Sequence, residues 1–307
     1  MKRNLTYALL AALFISACST SSSTSEETTT ESEEVAEVAV PSGETSYTSD
    51  STSLKGYFAV SEGTEGKQPG ILVIHEWWGH NEHSREKADQ LAELGYVAFA
   101  LDMYGDGKNT NHPENAQQFM MSVVSDMDLA KARFESALEL LKSHPNVDPE
   151  KIGVIGFCFG GTMGLTMASA GYDIDAVAAF HAGLGLPIMP DSPGVVKAKI
   201  LVANGADDPM ISSQAVEDFK AVMDAAEVDY KYVAYEGAVH AFTNKGSDEI
   251  ASQHEMLNGA LAYNAAADSA SWEEMKILFR KCFKNNTDST KKGCPEGILF
   301  YFVLANT

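Results

Sequence analysis

The sequence predicts an α/β protein: a mostly parallel central sheet with helices on both faces, a three-layer sandwich. From Leu54 onward, short apolar and β-branched runs alternate with amphipathic helical stretches, and turn residues separate them. The chain has 307 residues, 45% of them hydrophobic, which is enough for one sizeable core.

The elements follow in order. "ILVIHE" (71–76) is an apolar run after the "EGKQPG" turn and reads as a buried strand. "HSREKADQLAEL" places Ala88, Leu91 and Leu94 on one helical face, and Gly95 stops it. "YVAFALD" is the next strand, and the loop "MYGDGKNTN" leads into a helical stretch from Pro113 to about Ser143. "KIGVIGF" is a strand, "GGTMGLTMASA" a helix and "DAVAAFHA" a strand. "AKILVANG", "SSQAVEDFKAVMDAA" and "YKYVAYEG" repeat the strand–helix–strand pattern. A last helix, about Ala262 to Phe283, carries Trp272, Met275, Phe279 and Phe283 along one side.

Both ends depart from this pattern. Lys2 and Arg3 precede the apolar run Leu5 to Ile15, which is too short to span a membrane and has the flanks of an export signal. Cys18 directly after Ile15, Ser16 and Ala17 matches a bacterial lipobox, so it is expected to be the lipidated N-terminus of the mature chain. The next residues are almost all Ser, Thr, Glu, Val and Ala, too polar to offset their ordering entropy. The expected division is a signal peptide over 1–17, lipidated Cys18 with a disordered tether over 18–50, one domain over 51–283, and an atypical tail over 284–307. The expected location is the bacterial cell envelope, with membrane contact only through the lipid. Ser19, rather than Asp, after the cysteine favours the outer membrane.

The net charge of -21 argues against nucleic acid as a partner. Cys18, Cys158, Cys282 and Cys294 have no regular spacing; Cys282 and Cys294 could pair in an oxidising envelope. "HEWWGH" is one residue too long for the zinc signature H-E-x-x-H. His75 and His80, five apart, would not share a helical face, so no metal is expected at His75, His80 and His83. No cofactor is implied.

The chemistry concentrates at "GFCFGG" (156–161), where a strand meets a helix. A nucleophile on such a turn needs small residues two before and two after it, and Gly156 and Gly160 supply them around Cys158. A thiol then needs a base, and the base needs an orienting acid. "NGADDPMIS" offers Asp207 and Asp208, and "YEGAVHAF" offers His240, each at the carboxyl end of a later strand. The pattern G-x-x-D-x-x-I favours Asp208 as the acid, leaving Asp207 as a loop or cap residue.

With "HEWWGHN", "GYVAFALDMYGDG", "GFCFGG", "GADDPMI" and "GAVHAFTN" in this order, residues 54 to 283 resemble the dienelactone hydrolase family of the α/β-hydrolase fold. The resemblance implies a carboxylic ester hydrolase of the carboxymethylenebutenolidase type, acting through Cys158, His240 and Asp208 by way of an acyl-thioester. It places the oxyanion hole on the backbone N–H groups of Trp77 and Phe159. It makes Glu76 a latch that holds the resting thiol's proton. The family binds a substrate carboxylate through arginines, yet here Asn244 stands at one such position, and Lys108 to Met121 contains no arginine. Trp77, Trp78, Phe159 and Phe180 therefore point to an apolar pocket for a small ester or lactone. His181 either faces that pocket or is structural. A general carboxylesterase or thioesterase, or a non-catalytic envelope binding lipoprotein, would share the same fold.

Overall fold

The computed structural model describes residues 42–284. The signal peptide, Cys18, most of the tether, Cys294 and the tail from 285 lie outside the described residues. Eight strands form one sheet: β1 (Gly43–Ser49), β2 (Thr52–Ala59), β3 (Gln68–Ile74), β4 (Val97–Leu101), β5 (Val147–Phe157), β6 (Ala176–Phe180), β7 (Lys199–Gly205) and β8 (Tyr230–Tyr235). Their order is β1-β2-β4-β3-β5-β6-β7-β8. β1 and β2 run antiparallel, as do β2 and β4, and the remaining neighbours are parallel.

Among the described residues seven α-helices accompany the sheet: α1 (Glu82–Glu93), α2 (Pro113–Val124), α3 (Met127–Ser143), α4 (Phe159–Ser169), α5 (Ser213–Ala225), α6 (Ser247–Gln253) and α7 (Ala265–Phe283). One core layer joins Leu72, Ile74, Val154 and Val177 of the strands to Phe134 and Leu141 of α3, Met163 and Met167 of α4, and Phe219 of α5. The other joins Ile71, Val73, Ile155 and Phe157 to Ala88 and Leu91 of α1 and Met275, Phe279 and Phe283 of α7. Alternate positions along each strand thus face different helix layers, as a sheet buried on both faces requires. The three-layer α/β sandwich is the architecture the sequence pattern implies.

Three details differ from the sequence reading. The domain begins before residue 51: β1 lies inside the segment assigned to the tether. Tyr47 holds it, with its ring 5.5 Å from Phe99 and its hydroxyl accepting from the Asp102 N–H at 3.1 Å. The stretch from Pro113 to Ser143 is two helices, because the Asp126 side chain accepts from Leu129 N–H at 3.0 Å and caps a new start. Leu94 ends α1 rather than packing beneath it and is 41% exposed. The buried face of α1 instead carries His83, Ser84 and Lys87 with Ala88 and Leu91.

Candidate active site

β5 ends at Phe157 and α4 begins at Phe159, so Cys158 alone makes the turn, with φ 53° and ψ −116°. A non-glycine residue at positive φ is held there only by its surroundings. A Cβ on Gly156 would run into the carbonyl of Gly160, and one on Gly160 into the carbonyl of Ile74. Both are backbone atoms that cannot give way, which is why the two flanking positions are glycine. The Cys158 N–H donates to Phe180 O at 3.0 Å and to His181 Nδ1 at 3.1 Å. With Nδ1 accepting, the His181 proton sits on Nε2, which donates to Thr243 Oγ1 at 2.8 Å. Burial lowers the His181 pKa, with the His240 charge acting the same way, and the ring stays neutral.

His240 lies in the loop after β8 and Asp208 in the loop after β7. His240 Nδ1 is 2.8 Å from Asp208 Oδ2, and Asp208 Oδ1 accepts from Met210 N–H at 2.8 Å. Asp207 turns away and accepts from Gly237 N–H at 3.0 Å. Of the two aspartates, Asp208 is the one brought to the histidine. His240 Nε2 has no hydrogen-bond partner among the described residues. Burial opposes the imidazolium, but the Cys158 sulfur and the Asp208 carboxylate outweigh it, and the His240 pKa is raised. A thiol beside an imidazole that a buried carboxylate orients is an arrangement able to move a proton from sulfur to nitrogen.

Glu76 and Trp77 follow β3 directly. The loop is pinned at both edges: His75 Nδ1 donates to Glu76 O at 2.6 Å while His75 Nε2 accepts from Met103 N–H at 3.2 Å. Tyr104 Oη donates to Trp77 O at 3.1 Å. The "DMYGDG" loop that supplies Tyr104 winds around the buried Asp102 carboxylate, which accepts N–H groups from Tyr104, Gly105, Gly107 and Lys55. Phe159 opens α4, so its amide has no partner within the helix. Among the described residues, the Trp77 amide makes no loop or turn bond to a carbonyl.

The Glu76 carboxyl is 1% exposed. Its Oε2 accepts from Asn244 Nδ2 at 2.6 Å and lies 3.6 Å from His83 Nδ1, and its Oε1 has no partner. Burial pushes its pKa to about 7, against the Asn244 hydrogen bond and the charges of His240 and Lys87. No hydrogen bond joins Glu76 to Cys158; the thiol is on the His240 side.

Two side chains placed in the pocket from sequence lie elsewhere. Phe180 is paired in register with Phe157, stacks on it at 5.0 Å, and faces Trp272 of α7 in the opposite core layer. Strand alternation sends it to the far face of the sheet. Trp78 is 2% exposed and packs among Ala116, Ala241, Leu257 and Leu261; it anchors the loop, and half-buried Trp77 is the indole left beside the site. His181 is the structural member of its two alternatives. Of the three histidines in "HEWWGHNEH", His75 is a hydrogen-bonded brace, and His80 and His83 are buried with burial holding their pKa values at about 4 and about 3. Sequence reasoning missed Asp102, Tyr104 and Lys87; only the glycines flanking Asp106 hinted at a loop wrapped on a carboxylate.

A parallel sheet with helices on both faces and a cysteine on a strand-to-helix turn at its carboxyl edge defines a hydrolase of the α/β type. The sequence model of the dienelactone hydrolase family matches residues 54–283, and the chain belongs to that family. "Protein usf" of Aquifex pyrophilus is 33% identical over 203 residues, 64% of this chain and 85% of that protein. The solved structure titled "m3DLH" is 35% identical with a TM-score of 0.71, covering 78% of this chain and 96% of its own. A dienelactone hydrolase-like promiscuous phosphotriesterase, P91, from metagenomic libraries is 32% identical with a TM-score of 0.70 over the same shares.

Proposed function

We propose that the protein cleaves an ester or lactone through a Cys158–His240–Asp208 triad. The observation that carries this reading is the 2.8 Å His240–Asp208 pair beside a cysteine held at positive φ between β5 and α4. The Cys158 thiol passes its proton to the Glu76 carboxylate, and its sulfur attacks the carbonyl carbon. The oxygen that becomes negative is met by the N–H groups of Phe159 and Trp77. When the carbon–oxygen bond breaks, the alkoxide leaves with the proton that Glu76 took from the thiol, and an acyl-thioester remains on Cys158. Water then passes a proton to neutral His240 as it attacks the thioester, and the thiolate departs.

Glu76 is assigned the resting thiol's proton, taken on its unpartnered Oε1. That carboxyl, together with neutral Asn244, offers no cation to a substrate carboxylate, so the substrate class is an uncharged ester or lactone. A thiolate leaves a tetrahedral intermediate more readily than a poor alkoxide, so enol and aryl leaving groups turn over best. The enzyme is placed in the cell envelope, anchored by lipid on Cys18.

A screen of lactones and aryl esters with Cys158→Ala beside the parent tests the mechanism. The parent hydrolyses activated esters and shows an acyl adduct on Cys158 by mass spectrometry. Full activity in the alanine variant would overturn the reading. Cys18→Ser tests the anchor: it should move the protein from the detergent phase to the aqueous phase.

A further inference from the structure

Lys87 lies on the buried face of α1, one turn after His83, and is 5% exposed. Its Nζ is 3.4 Å from Asp268 Oδ1 in the first turn of α7. It lies 5.0 Å from the Trp272 ring centre and 5.8 Å from that of Phe157. An ammonium enclosed this way is retained only against a substantial desolvation cost, which the ion pair and the aromatic faces offset. Strapping α1 to α7 needs no such depth, since a lysine at the helix rim would do the same.

The same depth sets Lys87 one helical turn from His83, which is 3.6 Å from Glu76 Oε2, with both side chains against the Phe157 ring. Glu76 is faced from α1 by His83 and Lys87 and from the loop after β8 by Asn244 and His240. Lys87 is in turn faced by Asp268 of α7, Lys245 of the loop after β8 and Glu86 of its own helix. Asn244 is neutral, and His83, edge-on to Phe157 at 4.9 Å with neither ring nitrogen bonded, is held uncharged by burial. His240 belongs to Asp208 and Cys158. Lys87 is thus the second cation facing Glu76 after His240, and the one that takes no part in proton transfer.

We propose that Lys87 is the internal counter-charge of Glu76, a positioning residue that acts through the sheet on the carboxyl holding the thiol proton. The proposal rests on the assignment of that proton to Glu76. The ammonium favours the carboxylate, the form of Glu76 that can accept a proton from Cys158. Its charge also lowers the Glu76 pKa, in keeping with this placement.

The test follows the rate of Cys158 alkylation by iodoacetamide, and kcat/KM for a neutral aryl ester, across pH. The proteins compared are the parent, Glu76→Gln, Lys87→Met, Lys87→Gln, Lys87→Arg and the double variant Glu76→Gln/Lys87→Met. Removing the charge should move the acidic limb up by about one pH unit, a roughly tenfold slower reaction below the limb. Lys87→Arg should restore it, and Lys87→Met should have no further effect in the Glu76→Gln background. Lys87→Gln keeps a donor for Asp268 and serves if Lys87→Met does not fold. A limb that stays in place while the melting temperature falls would make Lys87 a structural strap and overturn the proposal. So would an equal shift in the Glu76→Gln background. A profile unchanged by Glu76→Gln alone would instead sink the assignment of the thiol proton to Glu76, and this proposal with it.

Discussion

Asn244 Nδ2 donates to Glu76 Oε2 at 2.6 Å across 168 positions of sequence, so a neutral amide is the nearest partner of this buried carboxyl. Replacing it with a cation should change what the site accepts. Asn244→Arg is expected to shift the ratio of kcat/KM for a carboxylate-bearing ester over its neutral analogue by tenfold or so toward the acid. Competition assays with the matched pair of esters measure it; an unmoved ratio would show that this position does not meet the substrate.

The two adjacent aspartates should separate cleanly. Asp208→Asn removes the carboxylate that orients His240 and should lower kcat by roughly 10³- to 10⁴-fold, the scale known for triad acids. Asp207→Asn keeps an acceptor for Gly237 N–H and should stay within about threefold of the parent. Steady-state rates on one activated ester decide it.

Glu76 makes stability depend on pH with a definite sign. Its folded pKa of about 7 lies above the ordinary value of 4.5, so between those values the folded state holds more proton than the unfolded state, and stability falls as pH rises. Glu76→Gln keeps the Asn244 contact and removes the charge. It should therefore melt several degrees higher than the parent at about pH 8, with the gain vanishing near pH 4. Melting curves at both ends check this; an equal offset at both would rule out the carboxyl as its source.

The first strand supplies a fourth expectation. A chain starting at residue 42 retains β1 and should melt like the parent. One starting at residue 51 loses Tyr47, its contact with Phe99 and its bond to Asp102 N–H, and should melt markedly lower. Equal melting temperatures would return β1 to the tether.

These cases also show where sequence reasoning reaches. Strands β3 to β8 are apolar enough to read directly, and the Gly156–Cys158–Gly160 spacing carries its own steric reason. The order of Cys158, Asp208 and His240 follows from loops at one edge of a parallel sheet. β1 was hidden because its Ser, Thr and Glu side chains alternate on a half-exposed edge strand, a composition shared with unstructured tethers. Phe180 was misplaced because an apolar residue at a strand end says nothing of which face it takes. Lys87 could not be assigned at all: a lysine in an amphipathic helix reads as solvated, and only the packing of α1 against α7 encloses it.

His181 has a consequence for motion. One of its nitrogens holds the Cys158 amide and the other holds Thr243, three residues beyond His240, so a single imidazole ties the thiol's turn to the base's loop. If the sheet edge breathes, the two are carried together, and the gap between sulfur and imidazole is insulated from the displacement of either loop alone.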